Sequence, residues 1–588
     1  MEYLILFLAL LLAGALVFAK GLWDAKRQSA WQKKKMREAF GKKADREYAD
    51  GEFGGIPRYF EKHREAFFLD DITWNDLDMD EVFCQMNQTY SSAGQEYLYY
   101  MLRTPLFTEE ELRKREEMMR YFSQQEEERL RVQQLYQRMG RTGKYSIYDY
   151  LDFLDLLGKR SNGRQIVMDL LFFPAAALIG VSPQAGLLCL LVLLIVNIST
   201  YLKEKRAIEP YLISFQYVFR TLSLAEQLCR ENIPVLKTQQ EEIKTLLGRF
   251  RKLRNSAAWG MRSMGGGGNP LDVLLDYINM ILHLDILCFN VMLKQVRERS
   301  QEIDRLLTVV GRIDALIAAA GYRQSLQAWC EPVFREAGEN PGEDGSRQEA
   351  ESCLVMEGLY HPLLSDPVKN DIAVRRGVLL TGSNASGKST FLRAVALNAV
   401  LAQTIHTCCA DFYEGRFFRI MTSMALHDNL ENGESYYIVE IKSLKRILDA
   451  AADTALPVLC FVDEVLRGTN TVERIAASTQ ILKSLHKPEI CCFAATHDIE
   501  LTELLKEEYD NYHFEEEISE GDIRFPYQLL KGKATTRNAI RLLAIMGYEN
   551  RIIEDAEEMA AHFAASGRWE SAQVAAGPDG KEEKKCLM

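Results

Sequence analysis

The hydrophobic positions of this chain follow three patterns. Two blocks are apolar throughout. Tyr3 to Ala19 carries no charge, and its 17 residues sit at the lower limit of a membrane-spanning helix. Leu170 to Leu202 runs for 33 residues without a charge and is broken near its middle by Gly180-Val181-Ser182-Pro183. A second pattern is helical. Residues 69–160 and 203–335 read mainly as helix, and Ile303, Leu306, Leu307, Val310, Ile313 and Ile317 recur at the 3.6-residue period of one buried stripe. The third pattern is the short, mostly apolar run bounded by turn residues. Arg376 to Leu380, Val458 to Val462 and Ile490 to Ala495 have the length and flanks of buried strands, and Thr390 to Ala402 reads as the helix after the first of them.

Charge changes this picture at both apolar blocks. Residues 20–46 hold ten Lys/Arg against three acids, whereas the segment before the first block offers only Glu2. The positive-inside rule then places the N-terminus outside and the rest in the cytosol, with the basic run beside anionic lipid. A cleaved signal peptide is the rival reading, with Ala13-Gly14-Ala15 or Val17-Phe18-Ala19 as the cleavage site. Basic residues flank the second block on both sides: Lys159, Arg160 and Arg164 before it, Lys203, Lys205 and Arg206 after. That predicts a membrane hairpin with both ends in the cytosol and short arms that thin the bilayer locally. A buried hairpin in a soluble core is the alternative. The expected location is the cell membrane, multi-pass, with the C-terminal domain in the cytoplasm.

Composition adds little beyond this. A chain of 588 residues needs several cores, and 47% hydrophobic with 26% charged residues is ordinary for a folded protein. The formal net charge of -12 argues against chain-wide nucleic-acid binding and leaves room for a local basic patch. Arg249, Arg251, Lys252, Arg254 and Arg262, followed by Gly265 to Gly268, form such a patch. It reads either as a solvated helix face or as the phosphate-contacting tip of a helical arm. None of the twelve cysteines forms a C-x-x-C pair, so a reduced, cytosolic setting is the simpler reading. The acidic runs Glu109-Glu110-Glu111 and Glu126-Glu127-Glu128 read as solvated helix faces.

The chemistry concentrates after residue 376. Gly382-Ser383-Asn384-Ala385-Ser386-Gly387-Lys388-Ser389, followed by Thr390, fits the phosphate-binding pattern G-x-x-x-x-G-K-[ST] between a strand and a helix. The glycines let successive N–H groups point at phosphates, Lys388 supplies a point charge, and the Ser389 hydroxyl is a hard ligand for Mg²⁺. The strand ending at Val462 leads into Asp463-Glu464. Asp463 is assigned to the metal and Glu464 to the attacking water. The third strand leads into Thr496-His497, and His497 is expected to sense the γ-phosphate within reach of Glu464. ATP and Mg²⁺ are the expected cofactors, and the expected activity is Mg-dependent ATP hydrolysis.

Together these residues resemble the MutS family of DNA mismatch-repair ATPases. Thr381 to Thr390 is similar to the family's T-G-P-N-M-G-G-K-S-T, Tyr360-His361-Pro362 to its R-H-P, and Asp463 to Thr471 to its D-E-x-x-R-G-T-S-T. Ala495-Thr496-His497 is similar to A-T-H, and Asn432 to Glu440 resembles the G-x-S-T-F-M-x-E segment. The resemblance implies an ABC/MutS-like α/β P-loop ATPase domain preceded by an all-α, lever-like core. It also implies a dimer in which Ser435 contacts the γ-phosphate held by the other subunit. The family's mismatch-reading domain lies before the helical core, where this chain offers only residues 1–68. Phe412-Tyr413-Glu414 spells the family's F-x-E element but falls inside the ATPase region. The expectation is a membrane-anchored MutS-related protein without that reader.

The expected plan runs as follows: anchor 1–22, basic juxtamembrane segment 23–68, helical core 69–164, transmembrane hairpin 165–202, second helical part 203–336, linker 337–350, ATPase domain 351–565 and polar tail 566–588. The expected function is a homodimeric, membrane-bound ATPase that moves helical arms, with DNA as a partner through Arg249, Arg251, Lys252 and Arg254. The alternatives are a nucleotide-gated membrane scaffold for unidentified protein partners and an ABC-type transporter. No L-S-G-G-Q precedes Asp463, which disfavours the transporter.

Overall fold

The computed structural model describes residues 19–20, 23–24, 26–158, 160–250, 278, 280–335, 352–383, 386–424, 436–452, 456–466, 469–519, 522–534 and 539–567. The apolar run up to Phe18, Arg251, Lys252, Arg254 and Arg262, the tetraglycine, the expected linker and the tail after Gly567 lie outside the described residues.

The N-terminal half is helical, and the 26-residue helix Ser300–Ser325 is an axis on which helices Ser92–Arg103 and Glu109–Gln124, among others, pack. The stripe Ile303, Leu306, Leu307, Val310, Ile313 and Ile317 is buried along it. Helix Ser92–Arg103 crosses this axis closely because glycines stand on both sides. A Cβ on Gly311 would lie 2.5 Å from the Ala93 carbonyl, and one on Gly94 would lie 2.2 Å from the Asp314 carboxylate. That carboxylate caps the start of the crossing helix, accepting from the N–H groups of Tyr90 (3.0 Å) and Ser91 (2.9 Å) and from Ser91 Oγ (2.6 Å). A negative charge at a helix N-terminus is favourable, although burial pushes the Asp314 carboxyl up to about 6. Gly94→Ala is expected to displace Asp314 from this cap and to cost about 1–3 kcal/mol, as overpacking of a tight helix contact does. A lowered thermal unfolding midpoint checks it.

The second apolar block forms two helical arms, Gly163–Val181 and Pro183–Ile208, meeting at Ser182. Both are long and apolar enough to cross a membrane. The arms are longer than the uncharged run suggests, because helix continues past its charged ends. Nineteen and 26 residues at 1.5 Å each give roughly 28 and 39 Å, against about 30 Å of hydrocarbon. The second arm is longer than expected, whereas the first, which includes Arg164 and Asp169, stays short of the hydrocarbon thickness as the sequence suggests. Their apolar side chains point outward: Phe173, Val181 and Leu187 are 74%, 84% and 68% exposed. The polar exception is inside. Asn197, fully buried, donates to Asp169 (3.3 Å) and to the Ile281 carbonyl (3.0 Å).

The C-terminal half is built on a six-stranded sheet. In chain order its strands are β4 (Gly377–Thr381), β6 (Arg419–Ser423), β7 (Val458–Asp463), β8 (Ile490–Ala495), β9 (Tyr509–His513) and a short edge strand (Leu530–Lys531). From that edge the spatial order continues β9-β4-β8-β7-β6, and all strands are parallel except the edge one. The inner strands are buried on both faces, as their unbroken apolar runs require. One face, with Leu380, Phe461 and Phe493, packs on helix Lys388–Ile405 and joins the core of the helical half. The other, with Leu379, Cys460 and Val462, packs against helices Tyr436–Ala450 and Thr471–Ser484. A four-stranded sheet lies beside it: β1 (Val333–Phe334), β2 (Leu354–Leu359), β3 (Asn370–Val374) and β5 (Phe412–Gly415), ordered β1-β5-β2-β3. The Phe412-Tyr413-Glu414 triplet is part of β5, with Tyr413 fully buried.

Candidate nucleotide site

Strand β4 ends at Thr381 and the chain turns at once. Gly382 takes φ 142°, and a Cβ there would sit 2.7 Å from the Phe514 carbonyl, so the turn requires glycine. Gly387, at φ 103°, caps helix Lys388–Ile405. That left-handed cap is why the helix begins at Lys388, two residues before the expected Thr390. Lys388 is 3% exposed, and its Nζ donates to the carbonyls of Gly382 (2.8 Å) and Ser383 (2.7 Å), so the cation stands inside the loop. Ser386 Oγ donates to the Ser383 carbonyl (2.8 Å), tightening the same turn. Asn384, Ala385 and Ser435 lie outside the described residues.

Residues distant in sequence meet here. Ser389 Oγ donates to Asp463 Oδ2 at 2.5 Å, bridging the helix start and the end of β7. Two hard oxygen donors in contact suit a magnesium ion, which takes one or two protein oxygens and completes its shell with phosphates and water. The next residue, Glu464, sits at φ 57°, strained for a side chain with a Cβ. Its N–H donates to the Ala495 carbonyl (2.9 Å), and its Oε1 lies 2.8 Å from His497 Nε2. The expected approach of His497 to Glu464 is thus present. Thr390 is exposed and lines the cavity beside the loop.

Sequence alone assigns no role to two features. Leu466, also left-handed at φ 59°, donates its N–H to the buried Glu440 carboxylate, which fixes the backbone just after Glu464. An acid on the buried face of a helix is the available signal. The second feature is a cavity of about 510 Å³ beside Gly387 to Thr390, walled by His361, Pro367, Val368, Phe391, Phe514 and Tyr527. Burial, helped by the nearby Arg393 charge, pushes the His361 imidazolium down to about 4, so the ring is neutral at pH 7. Of the basic cluster, Arg249 is described, and it pairs with Glu302 at 3.1 Å.

A parallel sheet with a glycine-bounded loop after β4, β8 inserted between β4 and the carboxylate strand β7, and a helix rising from the loop defines a P-loop nucleotide-binding domain. Residues 378–564 match the family model described as MutS domain V. Over this domain the chain is similar to MutS-family proteins. It is 34% identical over 200 residues to the DNA mismatch repair protein MutS of a Thermus thermophilus strain, covering 34% of this chain and 24% of that relative. Against the DNA mismatch repair protein MutS 2 of Haloarcula marismortui it is 26% identical over 303 residues, 48% of this chain and 30% of that protein. The chain spans about a quarter to a third of the length of these curated relatives.

Proposed function

We propose that this protein is a membrane-attached ATPase of MutS type that works as a homodimer and converts nucleotide state into movement of its helical half. The observation that carries the reading is the convergence of Lys388, the Ser389–Asp463 pair and the Glu464–His497 pair at the edge of one sheet. ATP would lay its nucleoside in the cavity walled by His361 and Tyr527 and its phosphates along Gly382 to Thr390. Lys388 would neutralise charge on the β- and γ-phosphates. Ser389 and Asp463 would hold Mg²⁺, which polarises the transferring phosphoryl group. Glu464 would align and deprotonate the attacking water, and His497 would hold Glu464 and feel the γ-phosphate. Ser435, by family resemblance, would reach the partner's γ-phosphate and make hydrolysis depend on dimer closure.

The division into anchor, juxtamembrane segment, helical core with hairpin, linker, ATPase domain and tail belongs to the same proposal. The outward apolar faces of Gly163–Val181 and Pro183–Ile208 support the membrane clause, with the ATPase domain in the cytoplasm. The name of the Thermus relative makes DNA the first ligand to test, and Arg249, Arg251, Lys252 and Arg254 the first residues. The net charge of -12 favours a second reading, a membrane scaffold that uses the same engine on a protein partner. ATPase assays of detergent-purified protein with homoduplex and mismatched DNA across a salt series separate the two. Stimulation that fades with salt, and is weakened by neutralising the four basic residues, is expected for DNA. Turnover indifferent to DNA at every salt concentration removes the DNA clause and leaves the scaffold.

A further inference from the structure

Glu464 and His497 come from the ends of two different strands, so their 2.8 Å contact depends on how the two turns are held. A second pair stands beside them. Arg474, in the first turn of helix Thr471–Ser484, grips Asp498 at two points: Nε to Oδ2 at 2.8 Å and Nη2 to Oδ1 at 2.6 Å. Asp498 is the residue after His497, and its N–H donates to Thr496 Oγ1 at 3.0 Å, which closes the turn around the histidine. The helix that carries Arg474 is itself anchored, with Asn470 Oδ1 accepting from the Val472 N–H at 3.1 Å. Both side chains of the pair are largely sheltered, 24% and 13% exposed. A two-point guanidinium–carboxylate contact fixes orientation as well as distance, unlike a single surface ion pair.

We propose that Arg474 and Asp498 are positioning residues for ATP hydrolysis: they brace the Thr496–Asp498 turn so that His497 stays on the Glu464 carboxylate. This inference rests on the ATPase reading above. Neither residue lines the cavity or the phosphate loop, so the brace acts on the hydrolytic step and leaves ATP binding alone. A shift of about 1 Å in a group that holds a catalytic carboxylate costs on the order of 10²-fold in rate, which sets the scale of the effect.

The test compares the full-length wild type with Arg474→Ala, Asp498→Ala, the double variant and Arg474→Lys. Turnover, KM for ATP and the affinity of a fluorescent ATP analogue are measured on each. Each single alanine variant is expected to lower kcat by about ten-fold or more, with KM and analogue affinity within about two-fold. The double variant is expected to be no slower than the worse single one, and lysine to restore part of the rate through one hydrogen bond. Unchanged kcat, fully multiplicative losses, or a parallel loss of nucleotide affinity overturns the proposal. A wild type without turnover overturns the ATPase reading and this inference with it. Wild-type turnover with an indifferent Arg474→Ala overturns the inference alone.

Discussion

Glu464→Gln is expected to bind ATP as the wild type does and to lower turnover by at least about 10²-fold, the lower end of what a positioned general base contributes. The substitution keeps the shape of the side chain and an oxygen that accepts from His497. It removes only the ability to take a proton from water. Binding is expected to survive because Lys388, the loop and the cavity, which the proposal assigns to the phosphates and the nucleoside, do not involve Glu464. The left-handed backbone at Glu464 and Leu466 is a second reason to expect a large effect. Strain of this kind persists only where surrounding bonds hold it, here the Glu464 N–H on Ala495 and the Leu466 N–H on Glu440. Phosphate-release kinetics with fluorescent-nucleotide titration check the pair of outcomes. Persistent turnover moves the base elsewhere.

The second large effect is expected far from the nucleotide. Helix Lys388–Ile405 starts at the phosphate loop and ends at a buried junction with the helical half. There Arg323, from the long axis helix, donates to both oxygens of Glu116 (2.9 and 2.6 Å), to Thr407 Oγ1 (2.8 Å) and to the carbonyls of Ile405 (3.0 Å) and His406 (3.1 Å). Arg323→Ala leaves Glu116 buried with only the more distant Arg120 and His406, each at 3.5 Å, and breaking a buried pair in this way costs about 3–5 kcal/mol. That is a large share of the roughly 5–15 kcal/mol by which domains are stable. Arg323→Lys, which offers no fork, is expected to rescue only partly. The junction also sets an acid limit. Burial pushes the Glu116 carboxyl up, but the nearby His406 and the two-point contact from Arg323 outweigh it and hold the group down at about 2. Its folded value lies below its unfolded one, so its contribution is present above the ordinary carboxylate range. That contribution is lost as pH falls from about 4.5 toward 2. Thermal midpoints across that range should drop steeply in the wild type and less so in Arg323→Ala. Equal slopes would remove Glu116 from the account.

The geometry of the candidate nucleotide site was legible because its parts are local. Gly382, Gly387 and Lys388 work within one turn of chain, and Asp463-Glu464 and His497 stand at the ends of apolar runs whose burial is a matter of composition. The stripe on Ser300–Ser325 was legible for the same reason. What sequence did not disclose is pairing over distance. Asp314 caps a helix more than 200 residues earlier, Arg323 meets Glu116 across 207 positions, and the cavity draws its walls from residues 359–370, residues 387–394, Phe514 and Tyr527. Arg474 and Asp498 carry no signal as single charges, and only the fold brings them to one turn. The arms of the hairpin outran the apolar block because helix tolerates charge at its ends.

Steady-state ATP hydrolysis by the detergent-purified full chain, with Mg²⁺ supplied or chelated and with Lys388→Ala as the control, tests the central claim most directly. The expected result is turnover that needs Mg²⁺ and is lost in Lys388→Ala. Absence of turnover with Mg²⁺ present, or turnover that survives Lys388→Ala, contradicts it.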